Sequence, residues 1–526
     1  MLSLPRRSVR LRLAALAVSS SVVGLGAVTL GAVALPAFSH PAAHPAAHPA
    51  TPGGGGHSSA SSRHGAAAGR PNILMITSDD LSTLDLAAMP HVRKLIADQG
   101  VTFTDAIAPT PICAPARASL LTGQYAHNDG VDTISGPHGG YQALDESRTI
   151  ATSLQSAGYD TLFTGKFLNG YGEHGSKHDV PPGWTDWRAT LDPSTYVFFH
   201  PTLNVNGKLT KTHGYTTTVM SKQADEMLAA KARTRKPWFA WVSYVAPHYG
   251  GPIEKGDPRA IFHGKAAIPT TVPDPRDKGR YAGVPLPDRP DMFEAKRYLK
   301  MLPKSSPARR RVSRDQRVAL RMAYDQRLEA VRGVDRAVAR QVATLRRTGQ
   351  LSNTVIIFSS DNGYATGEHN INGKLWHYSE ILRIPMLMRG PGVPVDRNVE
   401  TAITNPDVAA TILGFAGAKP QRVLDGVDMR PWLGRPTQQR VIPIEGWPVV
   451  NGTRRLYAGV RVGDWTYIRL RHGRGEELYD RATDPYELHN LAQVPAAQLT
   501  LLQMRILAGE YRNCAGASCP KTFTPA

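Results

Sequence analysis

Cysteine is scarce in this chain of 526 residues, with three in all, at positions 113, 514 and 519. Cys514 and Cys519 lie close enough to close a small disulfide loop near the C-terminus, which leaves Cys113 over. In an oxidising compartment an odd thiol is either a small buried hydrophobe or a group meant for chemistry. Long apolar runs are equally scarce. One stands at the start, Leu13–Leu35, behind the basic residues Arg6, Arg7, Arg10 and Arg12 and ahead of small-residue cleavage sites at Ala32-Val33-Ala34 or Ala37-Phe38-Ser39. It reads as an export signal over residues 1–39, so an extracellular or cell-envelope location is expected. The Arg6-Arg7 pair loosely resembles a twin-arginine signal, and no cysteine follows to carry a lipid anchor. Uncleaved, the run is long enough to span a bilayer. No later segment is, so no stable span is expected once the leader is removed.

Residues 40–70 lack large apolar side chains: His40-Pro41-Ala42-Ala43-His44 recurs, followed by Gly53–Gly56 and Ser/Ala. Such a segment cannot offset its ordering entropy and reads as a flexible tether, with histidines that bind metal weakly if at all. Acidic residues are outnumbered, 43 against 62 Lys and Arg, for a formal charge of +19, of which the leader arginines carry four, leaving about +15. A basic surface attracts polyanions. The basic residues are spread along the chain with no nucleic-acid motif, so a solvated surface is the default and no nucleic-acid partner is expected.

The remainder reads as α/β, a large mixed and mostly parallel sheet flanked by helices. Asn72–Thr77 is a short apolar run of buried-strand type, and further strands are expected at Thr161–Thr164, Trp238–Val245, Thr354–Ser359 and Ile384–Met388. Helices are expected at Pro90–Gln99, Ile150–Ala157, Arg314–Thr348 and Asp407–Gly417, the long one with Leu328, Val331, Val338, Val342 and Leu345 on one core-facing stripe. Beyond residue 440 the texture changes to short antiparallel strands, Leu456–Val462, Asp464–Leu470 and Glu477–Tyr479, and a terminal helix Ala497–Tyr511. The expected division is a main α/β domain over 71–440 and a smaller antiparallel-sheet subdomain over 441–526.

The chemistry gathers in a few places. In Cys113-Ala114-Pro115-Ala116-Arg117, Pro115 suits a first helical turn, so Cys113 would sit at a helix N-terminus, where free N–H groups favour an anion, with Arg117 one turn on along the same face. Asp79-Asp80 follows the first strand directly, and Asp361-Asn362-Gly363 follows Thr354–Ser360, so both pairs would emerge at the carboxyl edge where open α/β sheets bind ligands. Adjacent carboxylates repel unless something positive joins them. Three Asp and one Asn are all oxygen donors and specify a hard cation, Ca²⁺ or alternatively Mg²⁺. Either pair alone would more often be a strand-end turn or a helix cap.

With these motifs together, the chain resembles the type I, formylglycine-dependent sulfatases of the alkaline-phosphatase superfamily across nearly all of residues 71–513. Pro71-Asn72-Ile73 through Asp79-Asp80, Cys113–Arg117 continued by Ala118-Ser119-Leu120-Leu121-Thr122-Gly123, Gly165-Lys166, Pro247-His248, Asp361-Asn362-Gly363 and Gly373-Lys374 occur in the family's order and approximate spacing. Arg389-Gly390-Pro391-Gly392, and Glu477-Leu478-Tyr479-Asp480 through Asp484-Pro485-Tyr486-Glu487, are similar to sulfatase C-terminal portions. The resemblance implies that a formylglycine-generating enzyme reads Cys-x-Pro-x-Arg and oxidises Cys113 to formylglycine. One hydroxyl of its hydrate attacks sulfur and expels the alcohol, and the other collapses to the aldehyde and expels sulfate. It implies Asp79, Asp80, Asp361 and Asn362 as metal ligands together with modified residue 113, Arg117 as the group orienting that residue, and Lys166, His248 and Lys374 as a clamp on sulfate, with His248 able to protonate the leaving oxygen.

Two positions depart from the commonest pattern. Ala114 and Ala116 stand where many relatives place small or hydroxyl residues and Ser, which would slow maturation. Asn169, in Gly165-Lys166-Phe167-Leu168-Asn169, is the polar candidate where many relatives have a histidine after the lysine. That segment, Tyr324 through Asp335 and Gly363-Tyr364 are similar to the glucosamine-6-sulfatase branch, implying a sulfated glycosaminoglycan or smaller sulfated substrate. His127, just past the nucleophile helix, would face substrate or make a structural hydrogen bond. The alternatives are an arylsulfatase, a phosphonate or phosphodiester hydrolase with the same nucleophile, and a metal-dependent binder of anionic glycans without turnover.

Overall fold

The computed structural model describes residues 69–258, 270–435, 437–473 and 475–519. The expected export signal lies outside the described residues, as does the expected tether up to residue 68. Ten strands form the main sheet: β1 (Asn72–Ser78), β2 (Val101–Phe103), β3 (Asp160–Gly165), β4 (Asp186–Thr190), β5 (Thr202–Val205), β6 (Lys208–Lys211), β7 (Trp238–Tyr244), β8 (Thr354–Ser360), β9 (Met386–Arg389) and β10 (Arg397–Val399). Their spatial order is β10-β2-β9-β8-β1-β7-β3-β4-β5-β6. The five central strands, β8-β1-β7-β3-β4, run parallel, while β9 pairs antiparallel with both β8 and β2, and β5 and β6 close the other edge antiparallel.

Strands β1, β7 and β8 are buried along their whole length, with apolar side chains on both sides, because both of their faces are covered. Ile73 and Met75 of β1 enter one apolar cluster, with Phe239 and Trp241 of β7 and Val355 and Ile357 of β8. Leu74 and Ile76 enter the other, with Trp238, Ala240 and Val242 of β7 and Ile356 and Phe358 of β8. The principal helices are α1 (Pro90–Leu95), α2 (Cys113–Thr122), α3 (Ile150–Ser156), α4 (Thr216–Lys231), α5 (Arg314–Arg347), α6 (Asn405–Ala416) and α7 (Gln498–Tyr511). Helices α2, α3 and α6 cover the first face through residues such as Ala118, Leu154 and Ile412, and α1, α4 and α5 cover the second through Val92, Met227 and Val331. The stripe expected on the long helix is this buried face of α5, from Leu328 to Leu345. A reciprocal box between Ser313 and Gln316 starts α5, and Thr404 with Asp407 starts α6.

Expected and observed bounds differ by one or two residues at most ends, for example Met386–Arg389 against Ile384–Met388. The expected helix Pro90–Gln99 is α1 followed by a separate 3₁₀ turn, Ala97–Gln99. A separate four-stranded antiparallel sheet follows the main one, made of β11 (Val441–Gly446), β12 (Tyr457–Val462), β13 (Trp465–Leu470) and β14 (Glu476–Asp480) in that order. Helix α7 packs Leu501 and Met504 onto it. Cys514 and Cys519 form a disulfide. Among the described residues no helix is long and apolar enough to cross a membrane.

Candidate active site

Four parallel strands end at one edge, and each delivers a polar group there. Asp79 and Asp80 follow β1, Lys166 follows β3, His248 follows β7 within four residues, and Asp361 and Asn362 follow β8. Helix α2 begins at Cys113 and presents its first turn to the same place. The bend out of β3 needs glycine: Gly165 has φ +113°, and a Cβ there would lie 1.9 Å from the Ser243 carbonyl oxygen. Asp80 has φ +62°, a left-handed conformation that few residues other than Gly, Asn and Asp adopt.

The side chains meet in one buried cluster. The Cys113 thiol donates to Asp79 Oδ1 at 3.4 Å and accepts from Lys374 Nζ at 2.6 Å. Lys374 also donates to Asp80 Oδ1, and Lys166 Nζ donates to Asp79 Oδ2. Arg117 donates through Nε to Asp361 Oδ2 at 2.8 Å and through Nη1 to the Lys166 carbonyl at 2.9 Å and Ser243 Oγ at 2.8 Å. Asn362 Nδ2 donates to Asp80 Oδ1 at 2.7 Å, and the Asp80 N–H donates to Asp361 Oδ1 at 3.1 Å. His248 donates Nδ1–H to the Tyr249 carbonyl at 2.6 Å, leaving Nε2 3.6 Å from Asp80 Oδ2. Ligand atoms of Asp79, Asp80, Cys113 and His248 all lie within 4.8 Å of one another.

Electrostatics divide these groups sharply. Burial works against charge on Asp79, yet Lys166, His248 and Arg117 hold its carboxyl well below the usual range; Asp80 is likewise lowered, against burial, by Lys374 and His248. Lys166 and Lys374 are buried too, and the charges of Asp79 and Asp80 respectively raise both well above the ordinary lysine value. Burial, then the charge of Asp79, pushes the Cys113 thiol up to about 12, so it is protonated at neutral pH. Burial lowers His248, with Lys374 and Lys166 adding to it against the two aspartates. The resting ring is therefore neutral with a bare Nε2, and acting as an acid requires that it first gain a proton.

A cation fits this donor set. Asp80 Oδ2 and Asn362 Oδ1 are buried without a hydrogen-bond partner, in a cluster whose oxygen atoms suit a hard ion. Of the two further candidates for facing substrate, His127 is engaged away from the cluster and Asn169 lies beside it. His127 binds Glu445 through Nδ1 at 2.9 Å and the Cys514 carbonyl through Nε2 at 2.8 Å, so both ring nitrogens are taken. Asn169 donates to the Tyr196 hydroxyl at 2.8 Å while its Oδ1 stays unpartnered. Tyr196 was not singled out from sequence. Its ring lies under Lys166 Nζ, 5.0 Å from the centroid, and beside His248. Arg327 was also missed: from within α5 it donates to the Asp80 carbonyl at 2.6 Å and pairs with Asp85. Two signals were available, its position bordering the apolar stripe of α5 and its place inside the Tyr324–Asp335 segment that resembles the glucosamine-6-sulfatase branch.

Residues 71–418 match the family described as Sulfatase, and residues 367–509 match the one described as N-sulphoglucosamine sulphohydrolase, C-terminal. The chain belongs to the sulfatase family and is a sulfuric ester hydrolase with the alkaline-phosphatase-like fold. It is 30% identical over 512 residues to an arylsulfatase of Volvox carteri, covering 86% of this chain and 76% of that protein. It is 31% identical to the N-acetylglucosamine-6-sulfatase of Homo sapiens, covering 70% of this chain and 66% of that protein. A solved protein in complex with its substrate, D-glucosamine-2-N,6-O-disulfate, has the same fold, with a TM-score of 0.67 at 21% identity over 84% of this chain and 97% of that one.

Proposed function

We propose that this is an exported sulfatase that removes the 6-O-sulfate of a glucosamine-type sugar, using a formylglycine made from Cys113 and a Ca²⁺ ion, Mg²⁺ being the alternative. The observation that carries the mechanism is the meeting of the Cys113 thiol with Asp79 and Lys374 at the start of α2. The substrate class is supported by the relatives named for N-acetylglucosamine 6-sulfate. Asp79, Asp80, Asp361 and Asn362 would hold the cation, with Asp80 Oδ2 and Asn362 Oδ1 already unpartnered. When present, the cation and the formylglycine hydrate supply an activated hydroxyl and an internal exit for sulfate.

The chain's own residues do the rest. Arg117, fixed by four hydrogen bonds, sets the position of residue 113 one helical turn away. Lys166 and Lys374 keep their charges against burial and stand where negative charge grows on the sulfate and leaving oxygens. His248 is held in one tautomer by the Tyr249 carbonyl, so Nε2 is the atom that takes up or returns a proton. The maturation step is tested by peptide mass spectrometry of protein from its native host, where residue 113 is expected as an aldehyde. Unmodified thiol in fully active protein would sink it.

The substrate is tested by a panel of sulfated mono- and oligosaccharides, aryl sulfates and phosphonate esters. Release of sulfate from 6-O-sulfated glucosamine is expected. A second reading, turnover of a small aryl sulfate as principal substrate, rests on the Volvox carteri relative, and turnover of aryl sulfates or phosphonate esters alone would replace the carbohydrate assignment.

A further inference from the structure

One stretch departs from the even spread of basic residues. Between positions 296 and 317 there are nine Lys and Arg and a single acid, Asp315. The segment runs from a short helix, Lys296–Leu299, through a 3₁₀ turn, Pro307–Arg309, to the start of α5. Leu299, Leu302 and Ala308 anchor it in an apolar cluster with Ile371, Tyr378 and Ile381. The charged side chains stay outside: Lys300, Lys304, Arg311 and Arg314 are exposed, and none of these four makes an ion pair among the described residues.

Its fastening sets it beside the catalytic edge. Asn370 Nδ2 donates to the Ala308 carbonyl at 3.0 Å, and Ser306 Oγ bonds the Tyr378 hydroxyl at 2.9 Å. Asn370 and Tyr378 bracket Lys374, which reaches Cys113 and Asp80. Lys374 is four positions along the chain from each, so its backbone lies within about 14 Å of either attachment. A bare run of like charge costs self-repulsion unless an anion shares it. The polyanion that this site must receive repeatedly is one carrying sulfate esters.

We propose that the exposed basic segment 296–317 is a docking surface for a linear sulfated glycan, holding the chain while one sulfate ester occupies the site at residue 113. This rests on the carbohydrate reading above. It places affinity for the polymer on this segment and chemistry on the buried cluster, so the two are separable.

The test uses the full chain with Lys300, Lys304, Arg311 and Arg314 changed to Ser, beside a control that removes four exposed basic residues elsewhere, Lys208, Lys211, Arg233 and Arg235. Binding to immobilised heparin oligosaccharides, and KM and kcat on heparin and on a small aryl sulfate, are measured over a range of salt. The segment variant should raise KM on heparin about tenfold and flatten its salt dependence, leaving kcat and aryl sulfate turnover unchanged, while the control changes little. Retained aryl sulfatase activity shows that the variant is folded. Equal weakening by both variants, or tighter binding of duplex DNA than of heparin, overturns the proposal. If the native protein binds heparin through the segment without removing its 6-O-sulfates, the substrate reading falls and the docking surface stands. If the segment variant desulfates heparin with unchanged KM, the docking surface falls and the substrate reading stands.

Discussion

Arg117 has no exposed surface and joins four elements: its Nε holds Asp361 beyond β8, its Nη1 holds the Lys166 carbonyl beyond β3 and Ser243 of β7, and its own backbone belongs to α2. A lysine offers one compact charge and cannot reproduce this fork. Removing the guanidinium leaves Asp361 charged and buried, so Arg117→Met should destabilise the protein by about 3–5 kcal/mol, read from denaturant unfolding, and abolish turnover. A stable Arg117→Met variant would mean that Asp361 finds another cation. Arg327 acts one layer out. Its bond to the Asp80 carbonyl fixes the left-handed backbone that turns the Asp80 carboxylate into the site, and its ring contact with Tyr364 holds the guanidinium in place. Arg327→Met should weaken cation binding about 10–100-fold, measured by Ca²⁺ titration of the melting temperature, because groups that orient a ligand matter nearly as much as the ligand. Unchanged cation affinity would remove that role.

Lys374 belongs to an element rather than to itself, since it sits on a connection between β8 and β9 whose approach is stapled by a buried histidine. His369 bonds Glu294 through Nδ1 and lies 3.3 Å from Glu380 through Nε2, stacked on Tyr378. Burial opposes charge on this ring, but Glu294 and Glu380 raise it well above the usual imidazole value, while Glu380 is held down at about 2, against burial, by His369 and then Arg289. A raised imidazole contributes its stability in full below the unfolded value of 6.5 and loses it as pH rises through the folded value. The depressed Glu380 contributes above 4.5 and loses its share as pH falls toward 2. The staple is therefore strongest between these limits. His369→Gln should lower the melting temperature most in the mildly acidic range, with the wild-type and variant curves converging at alkaline pH. A constant offset at every pH would show that the ring acts by packing alone.

Across the whole molecule, what could be read from sequence follows burial. The runs at 72–77, 238–245 and 354–359 announce themselves because both faces of β1, β7 and β8 are covered, and the motifs at their ends are local enough to read. The edge did not show: β6, Lys-Leu-Thr-Lys, is largely exposed and has no apolar signal, α4 opens on three threonines that are poor helix formers, and β11 contains Pro443. Tyr196 and Arg327 join the site only through the tertiary fold, so no spacing could place them. The same topology makes the proposed cation a cross-link, since its ligands come from the ends of β1 and β8, separated by about 280 residues of sequence but adjacent in the sheet. A ligand bound by the native state alone stabilises it by about 2.7 kcal/mol at a hundredfold excess over Kd. Chelation should therefore lower the melting temperature and abolish turnover together, Ca²⁺ should restore both, and Asp80→Ala should be inactive with a melting temperature that no longer answers to chelator. Full activity in protein shown to be metal-free would refute the oxygen-ligand assignment, and zinc at full occupancy would refute the hard cation.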